Sequence, residues 1–249
     1  IQNFIESKLV NGDLIPLRGP VNKKTLSCNE DGKRKITKND KNGFKNPNSV
    51  YQKKIKIFII GDSFAEGDCQ NEKKDIAGIF RNKFKINTAN YGIGGAGPLL
   101  SLASLREYAP FYKPDYVIYF YYEGNDMEDL KDEKETFLIN YLGNFSQNLF
   151  YKSEEIEKFL TKYENLAYQV YKKEVNVYNK YGKNLEQNIK KIKKKEKVEI
   201  IKDFLELQKL KNLFFSKSFF GKKNSIDEEL FSDVLIKMKK EVANWNGKL

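Results

Sequence analysis

The chain has 249 residues, 40% hydrophobic and 14% aromatic, which is enough apolar material for a packed core and excludes global disorder. Its 45 Lys and Arg outnumber 34 Asp and Glu, giving a net charge of +11, yet the acids are interspersed among the lysines, so the excess reads as a solvated surface rather than a nucleic-acid tract. No run approaches the roughly 18 apolar residues of a membrane span, and histidine is absent altogether.

Residues 1–52 are rich in Gly, Pro, Asn and Lys, with turn signals at Asn11-Gly12, Asp31-Gly32 and Asn42-Gly43. They predict an irregular lead-in with one hairpin, Thr25 to Ser27 against Lys33 to Thr37. The first residue is Ile1 rather than Met and no signal peptide is visible, so an upstream targeting or membrane-anchoring segment is an open expectation.

Residues 53–130 alternate short apolar runs with helical patterns, as in βαβ units. Ile55 to Ile60 is a β-branched run ending at Gly61, the pattern of a buried parallel strand. A helix is predicted over Lys73 to Lys83, a strand over Ile86 to Tyr91, and a helix over Pro98 to Tyr108 with Leu99, Leu102 and Leu105 on one face. Asp115 to Tyr122, following Pro114, is the third predicted strand. Residues 131–249 turn helical and lysine-rich, with apolar residues at three-and-four spacing over Ser153 to Lys180, Leu185 to Lys211 and Ser225 to Trp245. Ser225 followed by Glu228 matches a capping box. The run Lys190 to Lys197 reads as the wet face of a helix. The last five residues, from Trp245 to Leu249, read as a helix end followed by the start of a further strand.

Each predicted strand ends in a small polar or glycine cluster: Gly61-Asp62-Ser63-Phe64, then Asn90 to Gly97, then Glu123-Gly124-Asn125-Asp126. A right-handed doubly wound sheet brings such ends to one edge, where open α/β sheets hold their sites. A serine there, opening a helix, exposes its hydroxyl and sets its N–H in the helix field. A glycine-rich turn and an asparagine side chain can add two donors. Three such donors make an oxyanion hole, each worth on the order of 10²–10³ in rate. Ser63 as nucleophile with Gly95 and Asn125 as donors is therefore an acyl-transfer arrangement. Taken singly, Ser63 could be a helix N-cap, Asn125 a turn residue and the glycines a tight βα turn.

The segments GDSFAEG, NYGIGGAGP and EGND resemble, in order and strand placement, the nucleophile, glycine and asparagine blocks of the SGNH (GDSL) hydrolase superfamily, over roughly residues 55–130. The resemblance implies a flavodoxin-like three-layer α/β/α parallel sheet, here incomplete and carrying a helical lysine-rich insertion. It implies that Ser63 attacks an ester while Ser63 N–H, Gly95 N–H and Asn125 Nδ2 hold the oxyanion. Gly94 is the rival of Gly95, and Asp62, Gly124 and Asp126 give structural support. Glu123 departs from the pattern, where many members carry glycine.

The family's Asp-x-x-His block, which supplies the general base, has no counterpart. The expectation is a core cut before its C-terminal part rather than a pseudoenzyme with a small sheet, and near inactivity toward esters as it stands. The organisation is thus a lead-in (1–52), an SGNH-like core (53–130) and a helical region (131–249). The expected substrate is a small-molecule or carbohydrate ester, with no nucleic-acid partner, no metal and no organic cofactor. Two rival classes remain: a non-catalytic binding or scaffold protein for an anionic polymer or surface, and a nucleotide-binding module, since Gly92 to Gly97 also fits G-x-G-x-x-G.

Cys28 and Cys69 lack metal-type spacing and could be a disulfide or two inert thiols. A bridge would pin the lead-in over the site. The stretch Asp40 to Pro47 (DKNGFKNP) resembles segments that precede the nucleophile strand in some extracytoplasmic bacterial SGNH-like proteins, which points to an oxidising, extracytoplasmic setting.

Overall fold

The structure, a computed structural model, describes residues 14–27, 35–67, 69–162 and 225–249. It is mixed α/β, with a three-stranded parallel sheet flanked by helices. The lead-in carries an antiparallel hairpin, β1 (Lys24–Ser27) and β2 (Lys35–Lys38), in the register Thr25↔Thr37. It then forms a 3₁₀ turn at Asn48–Gln52. Next come β3 (Ile57–Gly61), the single-turn α1 (Ser63–Glu66), α2 (Ile76–Asn82), β4 (Thr88–Asn90), α3 (Pro98–Tyr112), β5 (Tyr116–Phe120) and α4 (Asp126–Glu133). A 3₁₀ segment (Phe137–Leu142) and helical residues 153–162 follow. The last helix, α5, is Ser225–Ala243. The helical patterns predicted between 163 and 224, including 185–211 and the lysine run, lie outside the described residues.

Strand order is β4-β3-β5, which places the β-branched run in the centre. All five β3 residues are buried, and period-two alternation sends them to two faces. Phe58 and Ile60 join the larger core with Leu99, Leu102 and Leu105 of α3 and Val234, Met238 and Val242 of α5. Ile57 and Ile59 face a smaller cluster with Ala65 and Ala77. Burial of each such side chain is worth about 1.5–3 kcal/mol. Helix α3 starts with Pro at its first position, where a missing N–H costs nothing. It is buried on nearly every side.

The lead-in is more ordered than its composition suggests, because its polar residues close on one buried carboxylate. Asp40 accepts from the N–H groups of Asn42 and Phe44, from Asn46 Nδ2 and from the Tyr51 hydroxyl. Burial raises the Asp40 pKa despite these bonds. Phe44 packs its ring 4.1 Å from Tyr91 and 5.0 Å from Tyr108, anchoring the segment on the main core. Arg18, also buried, pairs with Glu157 at 2.8 Å.

After α5 the chain turns through Asn246, whose φ is +60°, and Lys248 forms a parallel bridge to Tyr116. Val117 N–H donates to Lys248 O at 2.7 Å, and Lys248 N–H to Asp115 O at 3.0 Å. The last residues thus begin to pair along the outer side of β5. Among the described residues no helix is long and apolar enough to cross a membrane, and no group of acids, cysteines or histidines could hold a metal ion.

Candidate functional site

Because β3 lies between two parallel neighbours, its carboxyl end emerges between theirs. The registers Ile59↔Asn90 and Gly61↔Phe120 set all three sequence blocks at one edge. The ladder runs on past β4: Tyr91 N–H donates to Ile59 O at 2.7 Å and Ile93 N–H to Gly61 O at 2.9 Å. This carries the glycine block alongside the nucleophile block.

Ser63 opens α1 and is half-buried. The N-cap is Asp62, whose Oδ1 accepts from Phe64 N–H (2.9 Å) and Ala65 N–H (3.4 Å). Gly67, left-handed, closes the turn by donating to Ser63 O. The cap role weighed for Ser63 therefore falls to its neighbour. Two asparagines to which the sequence motifs assign no role hold this turn down. Asn90, buried at the end of β4, donates its side-chain amide to Ala65 O at 2.7 Å and accepts Gly92 N–H at 2.9 Å. Asn46, from the lead-in, binds both backbone groups of Asn90. Lys45, buried as well, donates to the Gly67 and Gln70 carbonyls behind the same turn.

The glycine block meets the serine closely. A methyl group built on Gly92 would lie 2.4 Å from Glu66 N and 2.8 Å from Ala65 C, so only glycine lets α1 sit against this strand end. One built on Gly94 would lie 4.0 Å from Ser63 Cβ. Ile93 to Ala96 form a β-turn closed by Ala96 N–H to Ile93 O at 3.0 Å. Gly95, at its third position, has φ +77°, a conformation glycine takes without strain. Gly94 and Gly95 are both exposed, and open space surrounds the point where a Gly95 side chain would begin. The Gly94 N–H is engaged, donating to Glu66 Oε2 at 2.8 Å.

The third block sits on the other flank. Gly124 lies under the Tyr122 ring, which packs 4.5 Å from the ring of Phe64. Asp126 Oδ2 accepts from Tyr122 N–H and Tyr119 OH, fixing the turn that presents Asn125. Asn125 Nδ2 donates to Asp129 Oδ2 at 2.9 Å, while its Oδ1 is buried without a partner. Exchanging the amide's two ends would set oxygen against carboxylate, so this orientation is fixed. Burial raises the pKa of Asp126, and the nearby charge of Asp62 acts in the same direction. Asp129 is raised too, by burial first and then by Asp126, Asp132 and Asp62. The edge is thus locally acidic on a chain of net positive charge.

Glu133, at the end of α4, was not singled out by its sequence pattern. Its carboxyl accepts from Gly97 N–H and Leu99 N–H, both at 2.8 Å, at the start of α3. Burial pushes it up to about 8, although those N–H bonds pull the other way. The amides that a G-x-G-x-x-G loop would offer to a pyrophosphate are thereby filled from within.

Cys69 is disulfide-bonded. The only other cysteine of the sequence, Cys28, lies outside the described residues. Compared with protein-family models, with curated proteins and with solved structures, the chain matches none.

Proposed function

We propose that this chain carries an SGNH-type acyl-transfer site on a flavodoxin-like α/β/α scaffold. In this reading the Ser63 hydroxyl attacks the carbonyl carbon of an O-acyl ester of a small alcohol or a carbohydrate. Ser63 N–H, Gly95 N–H and Asn125 Nδ2 hold the developing oxyanion. The tetrahedral intermediate then expels the alcohol, which leaves with the proton that Ser63 gave up, and an acyl-Ser63 ester remains for water or a second alcohol. The observation that carries the reading is the approach of Ser63 Cβ to the glycine turn, at the end of the central strand. One Nδ2 hydrogen of Asn125 is spent on Asp129, which leaves the other for substrate.

The proton of Ser63 has no imidazole to go to, since the sequence contains no histidine. A serine without a base is a poor nucleophile, and loss of the triad histidine costs on the order of 10⁶ in a serine protease. A second reading, in which the same site binds esters without turning them over, needs no such base. A disulfide at Cys69 supports an oxidising compartment outside the cytoplasm for either reading.

Added imidazole can stand in for the missing base. Exposure to p-nitrophenyl acetate with imidazole should acetylate Ser63, read by peptide mass spectrometry, and the label should vanish in Ser63→Ala. Acetylation confined to lysines, with Ser63 unmodified, would overturn the acyl-transfer reading.

A further inference from the structure

We infer that Glu66 is a positioning residue of this site: its carboxylate takes the Gly94 N–H, fixes the glycine turn against the nucleophile turn, and leaves Gly95 as the second oxyanion donor. The inference rests on the acyl-transfer reading and assigns a role to a residue that reading does not use.

Three observations support it. First, Glu66 has little backbone freedom. Its N–H donates to Asp62 O at 2.9 Å, its carbonyl accepts from Asn90 Nδ2 at 3.3 Å, and its nitrogen lies against Gly92. The side chain starts from a fixed point one turn beyond Ser63. Second, that side chain reaches the Gly94 N–H at 2.8 Å, and a charge-assisted bond of this length to a carboxylate is among the stronger ones. Third, the two glycines differ in surroundings. Glu66 Oε2 would stand 3.1 Å from a methyl group on Gly94, whereas nothing comes within 4 Å of one on Gly95. The N–H of the first glycine is thus filled, while the second has open space where its side chain would begin.

The same carboxylate places a negative charge near the anion the site must hold. Glu66→Gln keeps an acceptor for Gly94 and removes that charge. Glu66→Ala removes both.

The test uses the full chain with ¹⁵N-labelled glycine and serine and methylphosphonate as a tetrahedral anion probe. In the wild type the probe should shift the Ser63 and Gly95 amide signals and leave Gly94 in place. Glu66→Gln should keep that pattern and bind the probe about 3–10-fold tighter, as expected for a like charge removed at several ångströms. Glu66→Ala should add Gly94 to the responding amides. A Gly94 response in the wild type equal to that of Gly95, or unchanged affinity in Glu66→Gln, would overturn the role of Glu66 and leave the acyl-transfer reading standing. Silence of all three amides would overturn both. The outcome does not depend on Glu66→Ala folding, because the wild type and Glu66→Gln decide it.

Discussion

Asn46 and Asn90 are joined as two strands would be: Asn46 Oδ1 accepts Asn90 N–H at 2.7 Å, and Asn46 Nδ2 donates to Asn90 O at 2.8 Å. One side chain thus completes the outer edge of β4, where no further strand lies among the described residues, and the Asn90 side chain passes the restraint on to the nucleophile turn. Asn46→Ala leaves a buried N–H and a buried carbonyl unpaired, at about 1–3 kcal/mol each. We expect urea unfolding to show a loss of about 2–4 kcal/mol with an unchanged slope. A loss under about 0.5 kcal/mol would mean that water replaces the side chain.

Gly92 should tolerate no side chain. The methyl group of Gly92→Ala would sit 2.4 Å from Glu66 N, and backbone rather than a flexible tip would have to move. The cost is about 1–3 kcal/mol. The displaced atoms belong to α1, so imidazole-dependent labelling of Ser63 should fall more steeply than stability does. Equal labelling in Gly92→Ala and wild type at a temperature where both are folded would contradict this.

Stability should fall as the pH rises from 4.5 to about 8. The Glu133 carboxyl is raised from 4.5 to about 8 by burial, so between those values the folded chain holds a proton that the unfolded chain has released. Its contribution is complete below pH 4.5 and declines through about pH 8, by at most about 1.4 kcal/mol per pH unit. Asp40, Asp75 and Asp126 are raised as well, which adds slope of the same sign at lower pH. Chemical denaturation from pH 5 to pH 9 checks the trend, and Glu133→Gln should flatten its upper part. A wild-type stability that climbs over this range would show that the N–H bonds to Glu133 outweigh its burial.

Reduction should loosen the loop behind the nucleophile turn. Cys69 is held at φ +64°, unusual for a residue with a side chain, within the loop that links α1 to α2. Loss of its bridge should lower stability by about 2–4 kcal/mol, read as a drop in melting temperature with a thiol reductant. Cys69→Ser with Cys28→Ser should reproduce the drop and abolish its dependence on reductant.

The three strands and the meeting of their ends were legible because each strand is a short β-branched or aromatic run stopped by glycine or a polar cluster, and parallel order follows from the helices between them. The strand boundaries moved by one or two residues, and the helix predicted to end at Tyr108 runs on to Tyr112. The predicted strand over Ile86 to Tyr91, for instance, is regular only at Thr88–Asn90. What the pattern could not show are side chains bonded to distant backbone. Asn46 and Asn90 are 44 residues apart, Glu66 and Gly94 28, and Glu133 and Gly97 36. Glutamate and asparagine are ordinary surface residues by composition, and only the packed strand order decides which of them find a buried N–H. The lead-in hid a contact of the same kind. Its Asn, Asp and Gly content reads as loop, and it is loop, but one closed around the buried Asp40 carboxylate.

The cover over the β4 edge also has a place in time. Residues 40–47 leave the ribosome before β4 does, so the piece that shields this edge is already made when the strand first pairs with β3. An exposed parallel edge is an invitation to a neighbouring nascent chain. Here the guard arrives ahead of what it guards, and crowded synthesis should not recruit β4 into intermolecular sheets while Asn46 is in place.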